Sequence, residues 1–212
     1  MKIAILTSLD QWFIPYAEQL NREVPNSKLY FDHIELTETF DIVFILSYHK
    51  IIETKYLKKN KHNVVIHASA LPQGKGWAPM FWQVLEGKKS IPFSMFEASD
   101  GIDNGDIYMS DELELSGYEL NEELRQKQAA IIIKMCLNFL QDYDTYKTPK
   151  KQTGKETTYP KRSPSESELA IDKTIKEQFN LLRICSNEEY PAFFKIDGHA
   201  YVLKISKREV DE

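Results

Sequence analysis

The residues able to do chemistry crowd into one stretch, 63–107. An apolar run, Val64-Val65-Ile66, delivers His67 to its end, and Ala68-Ser69-Ala70-Leu71-Pro72 follow. A loop carrying Gly74-Lys75-Gly76-Trp77-Ala78-Pro79 comes next, and Asp100, Asp103 and Asp106 then fall within one short segment. An imidazole and a carboxylate on loops beside a buried strand can pass protons near neutral pH. In α/β sheets, ligands gather at the carboxyl ends of strands, which is where His67 falls. Taken alone, His67 reads more simply as a core histidine; its neighbours give it weight. Two other readings of the stretch are weak. Gly74-Lys75-Gly76 lacks the Walker spacing, and no helix begins directly after it. The three aspartates could ligate a cation, but Ile102 and Ile107 suggest a tight turn between strands and no second cluster completes a shell, so no metal is expected.

The elements that must position these residues are legible in the hydrophobic pattern. Residues 2–6 form a continuous apolar run, as a buried parallel strand would. Ser8 and Gln11 have capping-box spacing, and Phe13, Tyr16, Leu20 and Val24 recur at helical intervals with Pro15 in the first turn. Strands are predicted over 28–31, 41–46 and 64–67, and a short solvated helix over 51–61. A helix over 80–86 ends at Gly87, and strands follow over 91–97 and 107–115. A long helix over 121–143 packs through Leu124, Ile131, Met135 and Phe139. The alternation indicates an open, largely parallel α/β sheet.

Residues 147–168 differ in kind, with lysines, threonines, serines and prolines, and read as a mobile, partly extended linker. They would separate a domain over 1–146 from a small α+β segment over 169–212. That segment holds a helix with Ile175, Phe179 and Leu182, capped by Asp172 or Thr174, and a hairpin turning at Asp197-Gly198.

Composition sets the class. The 212 residues are 42% hydrophobic and 28% charged, which suits a soluble globular chain with a real core. No run approaches the roughly 20 apolar residues of a membrane helix, residues 1–6 read as a strand rather than a leader, and a cytoplasmic location is the default expectation. Cys136 and Cys185 have no metal-ligand spacing and are expected as free, buried thiols. A net charge of −5 speaks against a nucleic-acid partner.

Six segments in order give the chain a resemblance. His67-Ala68-Ser69-Ala70-Leu71-Pro72, Gly76-Trp77-Ala78-Pro79 and Gly101-Ile102-Asp103-Asn104-Gly105-Asp106-Ile107 are similar to the motifs of the folate-dependent formyltransferases. Tyr159-Pro160-Lys161-Arg162-Ser163-Pro164, Phe179-Asn180-Leu181-Leu182-Arg183 and Tyr190-Pro191-Ala192-Phe193-Phe194 resemble the C-terminal segment of members that act on amino sugars. The resemblance implies a Rossmann-like formyltransferase fold and transfer of the formyl group of N10-formyltetrahydrofolate to a primary amine. His67 would stabilise or protonate the oxyanion, and Asp103 would orient the site and help remove the amine proton. Ser47, Tyr48, His49, Lys50 and Ile51, with Asp100, would bind the folate, largely through backbone groups. The acceptor implied is a nucleotide-linked amino sugar, more narrowly a UDP-linked 4-amino-4,6-dideoxy sugar of pseudaminic-acid-type biosynthesis. Ser69, Lys75, Trp77, Lys161, Arg162 and Arg183 would be its contacts. A homodimer is compatible with the family, although no stretch identifies an interface.

One departure matters. The family's asparagine two residues before the histidine is Val65 here. The nearest asparagine, Asn63, points the same way along a strand but lies about 6–7 Å further from His67. Asn104, Ser69 or a backbone amide could hold the formyl oxygen instead, or the site could be impaired. Three functions therefore stay open: a sugar N-formyltransferase, a non-catalytic folate or nucleotide-sugar binder, and an RNA-directed formyltransferase. The last suits the acidic charge least, and only some 40 residues follow the linker to supply an RNA-binding domain.

Overall fold

The computed structural model describes residues 1–208, so the last four residues of the segment expected over 169–212 lie outside the described residues. The first half alternates strand and helix: β1 (Ile3–Leu6), α1 (Ile14–Glu23), β2 (Ser27–Tyr30), β3 (Ile42–Ile45), α2 (Thr54–Leu57) and β4 (His62–His67). A two-residue strand β5 (Lys75–Gly76) and helix α3 (Pro79–Leu85) lead into an antiparallel pair, β6 (Ser90–Glu97) and β7 (Ile107–Glu114). Six of these strands form one sheet in the order β2-β1-β3-β4-β6-β7. The first four run parallel, and β6 and β7 turn antiparallel. Every residue of β1 and β3 is buried, which is why both read as unbroken apolar runs.

Helix α4 (Asn121–Gln141) covers one face of the sheet. Its Leu124, Ile131, Met135 and Phe139 are all buried, and Phe139 is packed edge-on against Phe44 of β3 at 6.2 Å. The opposite face holds a smaller apolar cluster of Ala4, Leu6, Val43, Ile45 and Leu57, against which Val65 packs. Because side chains alternate along β4, Val64 and Ile66 face α4, while Asn63, Val65 and His67 face the other way.

Some local expectations are corrected. Ser8 does not cap α1. The helix starts at Ile14 after Phe13, with Pro15 in its first turn, and the Ser8 hydroxyl accepts from the His49 backbone N–H instead (3.3 Å). Only Thr54–Leu57 of the span 51–61 is helical. After α4 comes a separate turn of helix, α5 (Tyr143–Tyr146), and then β8 (Thr158–Tyr159). The last helix, α6 (Phe179–Ile184), begins after Gln178, not at Asp172 or Thr174; Thr174 bonds the Glu177 carboxylate in the turn before it. The hairpin β9 (Ala192–Ile196) and β10 (His199–Leu203) turns at Asp197-Gly198, both with positive φ, as a tight primed turn needs. Cys136 and Cys185 are free and buried. No described helix is long and apolar enough to cross a membrane.

Residues 147–168, expected as a mobile linker, are tied to the body. Lys150 exchanges backbone hydrogen bonds with Ile107 (2.7 and 2.8 Å), and β8 pairs in parallel with β5. The segment is a strap laid across the two loops that carry the candidate chemistry.

Candidate active site

His67 ends β4 with its side chain nearly buried. Its Nε2 donates to the Gly74 carbonyl at 2.9 Å. A carbonyl only accepts, so Nε2 carries the hydrogen and Nδ1 is left as the basic atom. Asp103 reaches the same place from the loop between β6 and β7. Its Oδ2 stands 3.5 Å from His67 Nε2 and accepts from the Gly76 N–H at 2.9 Å. The two residues predicted to share the chemistry are therefore side by side.

The backbone around them is unusual. Asp103 has φ +50°, a left-handed conformation that costs a non-glycine residue about 1 kcal/mol and is kept where the surroundings impose it. Gly76 has φ +94°, and a Cβ there would stand 2.5 Å from the Tyr159 carbonyl, so only glycine lets β5 lie against the strap. At Gly105 a Cβ would meet the Glu97 carbonyl at 1.5 Å. The glycines of both motifs thus permit close backbone approach around the pair.

Two strap residues, Gln152 and Thr157, are marked by no pattern in the sequence. Gln152 Nε2 donates to the carbonyls of Asp103 and Gly105, both at 2.8 Å. Thr157 Oγ1 accepts from the Gly74 N–H at 2.8 Å, and Tyr159 stacks on Trp82 with ring centroids 5.9 Å apart.

Of the groups predicted to bind folate, only Asp100 lines a cavity; Ser47 to Ile51 follow β3 and are not in its lining. The cavity, about 300 Å³, is lined by Thr54, Leu57, Asn63, Glu97, Ala98 and Asp100 among others. That volume suits a bicyclic ring. The side chains of residues 47–51 turn to neighbouring loops. Tyr48 bonds His33 Nδ1 at 2.7 Å, Lys50 pairs with Asp32 at 2.5 Å, and Ser47 donates to Gln11 at 3.4 Å. His49 Nδ1 lies 3.7 Å from Asp10, Ile51 points to solvent, and the Thr54 hydroxyl donates to Asp100.

Five predicted side chains are placed otherwise. Asn63 is buried and committed. Its Nδ2 donates to Leu57 O (3.0 Å) and Glu97 Oε1 (3.1 Å), and its Oδ1 accepts from Asn60 (3.0 Å). It serves the floor of the cavity, not His67. Arg183, expected among the acceptor contacts, is only 2% exposed and pairs with buried Glu119 at 3.0 Å. Arg162 Nη2 donates to the Glu166 carbonyl at 2.9 Å, within its own turn. Ser69 is buried beneath the Gly74 loop. Lys75, also expected among the acceptor contacts, is 4% exposed, and its ammonium bonds Asn104 Oδ1 and Glu156 Oε2 (2.8 Å). Trp77 does face solvent at 46% exposure, with Lys161 Nζ over its ring at 4.8 Å.

Burial also shapes the charges nearby. It pushes the Glu97 carboxyl up, against hydrogen bonds from Tyr108 and Asn63 that favour its anion. It raises Tyr108, with Glu97 adding to the effect, and lowers His62, with Lys61 adding to the effect. Among the described residues no group of histidine, cysteine and carboxylate side chains could hold a metal ion.

The parallel-based α/β sheet thus places a histidine at the carboxyl end of β4 with a loop aspartate beside it. The chain belongs to the formyl transferase family, whose pattern matches residues 25–136. A curated relative, the methionyl-tRNA formyltransferase of Francisella philomiragia, is 29% identical over 174 residues, covering 81% of this chain and 54% of its own. The chain spans about half the length of the curated relatives it matches. Among solved structures, methionyl-tRNA formyltransferase from Clostridium thermocellum superposes with a TM-score of 0.81 at 23% identity, covering 99% of this chain and 94% of that one. A sugar N-formyltransferase from Shewanella sp FDAARGOS_354 superposes with a TM-score of 0.71 at 14% identity, covering all of both chains. These superpositions speak for the fold.

Proposed function

We propose that the chain moves the formyl group of N10-formyltetrahydrofolate onto the amine of a nucleotide-linked amino sugar. The acceptor would be a 4-amino-4,6-dideoxy sugar, UDP-linked and of pseudaminic-acid type. The observation that carries formyl transfer is the His67–Asp103 pair, 3.5 Å apart at the carboxyl end of β4. An amine attacks a formyl carbon as its free base, and the adduct needs its oxyanion stabilised and its amine proton removed. His67, charged by taking a second proton at Nδ1, presents a cation whose Nε2 side is balanced by Asp103. Asp103 takes the amine proton through water; as the oxyanion collapses, the bond from the formyl carbon to N10 breaks and N10 leaves with that proton. Residues 47–51 and Asp100 would hold the pterin.

Two features support a sugar nucleotide. Trp77, next to Gly76 in the chain, keeps an exposed ring with the Lys161 ammonium over it, a pairing that would suit a base or sugar ring with an attached phosphate. The chain's net charge of −5 suits a small acceptor better than an RNA. A second reading, a methionyl-tRNA acceptor, is favoured by the curated relatives. Mass spectrometry of reactions containing the formyl donor with UDP- and TDP-linked amino sugars, or with methionyl-tRNA, separates them. One formyl group gained by a sugar supports the proposal. Transfer to the tRNA alone, with binding that falls steeply as salt rises, replaces it. Donor binding without transfer to any acceptor leaves the chain as a binding protein.

A further inference from the structure

A buried ammonium is stable only with partners. Lys75 has two, and they lie on different segments: Asn104 Oδ1 in the loop after β6, and Glu156 Oε2 in the strap at 2.8 Å. Asn104 follows Asp103 directly. The residue after Lys75 is Gly76, whose N–H donates to Asp103 Oδ2 at 2.9 Å. Two consecutive residues, 75 and 76, therefore hold two consecutive residues, 103 and 104. From the strap, Gln152 holds the carbonyls on both sides of Asn104. The turn so gripped is the one with Asp103 at φ +50°, a conformation that the loop would relax if released.

We propose that Lys75 is a positioning residue for Asp103: by fixing Asn104 it sets the backbone turn that aims the Asp103 carboxylate at His67. The claim rests on the formyl-transfer reading of the site. Its weight falls on Asn104 and not on Glu156, because Asn104 adjoins Asp103 in the chain, while Glu156 lies on the strap and its 61% exposed ion pair contributes little. An ammonium suits the position because its three N–H groups can serve loop and strap together.

The test compares Lys75→Met, Lys75→Arg, Asn104→Ala and Glu156→Gln by steady-state kinetics and by NMR of the His67 ring. Lys75→Met lowers kcat about 10- to 100-fold, the cost of a small misplacement, while KM for the formyl donor stays within about twofold. Lys75→Arg recovers most of the loss. Asn104→Ala lowers kcat by a similar factor, and the double variant with Lys75→Met is no slower than Lys75→Met alone. Glu156→Gln stays within about twofold of wild type. An unchanged kcat in Asn104→Ala, or losses that multiply in the double variant, overturns the proposal. Should Lys75→Met fail to fold, Lys75→Arg and the surface variant Asn104→Ala decide. Absence of transfer in the wild type would count against the formyl-transfer reading, and the ring resonances then decide the positioning. They shift in Asn104→Ala and hold in Glu156→Gln if Lys75 acts as described, and stay unmoved in Asn104→Ala if it does not.

Discussion

Asp103 Oδ2 lies 3.5 Å from His67 Nε2 and is held there by the N–H of Gly76, a residue of the loop that His67 itself leads into. His67 Nε2 bonds the carbonyl of Gly74, two residues earlier in the same loop, so one loop holds both the histidine and the aspartate. This makes Asp103 the sharpest probe of the chemistry. Asp103→Asn keeps the hydrogen bond from Gly76 and removes the charge. We expect kcat to fall about 100-fold or more, with donor binding by calorimetry nearly unchanged. Unaltered kinetics would reduce the loop to a structural turn.

Val65 tests the missing amide. Asn63 is committed to Leu57 and Glu97, and Val65 packs into an apolar cluster where the family's asparagine would stand. Val65→Asn should therefore raise kcat about tenfold or more, since one oxyanion donor is typically worth about 100- to 1000-fold. It should also cost about 1–2 kcal/mol of stability, as an amide enters the apolar cluster beside Val43 and Leu57. A rate that stays the same or falls would point to a backbone amide as the donor already in place.

Trp77 tests the acceptor. Trp77→Ala should raise KM for the sugar nucleotide by about tenfold, the scale of one lost stacking contact, and leave KM for the formyl donor alone. Equal changes in both would place Trp77 in the packing of its loop.

Glu119 gives a pH signature far from the chemistry. Burial alone would raise its carboxyl, but the Ser116 backbone N–H and Lys127 help bring it down to about 2. A carboxyl depressed in the fold adds stability that is fully present above its unfolded value near 4.5 and is lost as pH falls through about 2. The contribution is about 3 kcal/mol at neutral pH. Urea midpoints of wild type and Glu119→Gln should therefore converge as pH drops across that window. A gap that does not change with pH would mean the Arg183–Glu119 pair contributes nothing through its charge. Arg183→Met should destabilise by about 3–5 kcal/mol, since it strands the buried carboxylate. The kcat of its folded fraction should be unchanged, as expected of a residue away from the acceptor.

What the sequence revealed and concealed follows from the range of the interactions. β1 and β3 are continuous apolar runs because both faces are covered, and α4 shows its buried stripe because one face packs on the sheet. His67 and Asp103 were legible through the glycines and prolines that shape their loops. Arg183 and Lys75 were not. Their burial depends on Glu119, which is 64 residues from Arg183, and on Asn104, and a lone cation in a sequence looks the same whether solvated or paired. The strap was hidden for a similar reason. β8 is two residues long and makes its bonds through the backbone, so its composition of lysine, threonine and proline reads as a linker.

The most direct test is the transfer reaction itself in the wild type and in His67→Asn, with formyl-donor binding measured alongside. The account predicts that the wild type adds one formyl group to a nucleotide-linked amino sugar, and that His67→Asn binds the donor with nearly the same affinity while turnover falls about 100-fold or more. Near-normal turnover in His67→Asn would remove the histidine from the chemistry and contradict the account.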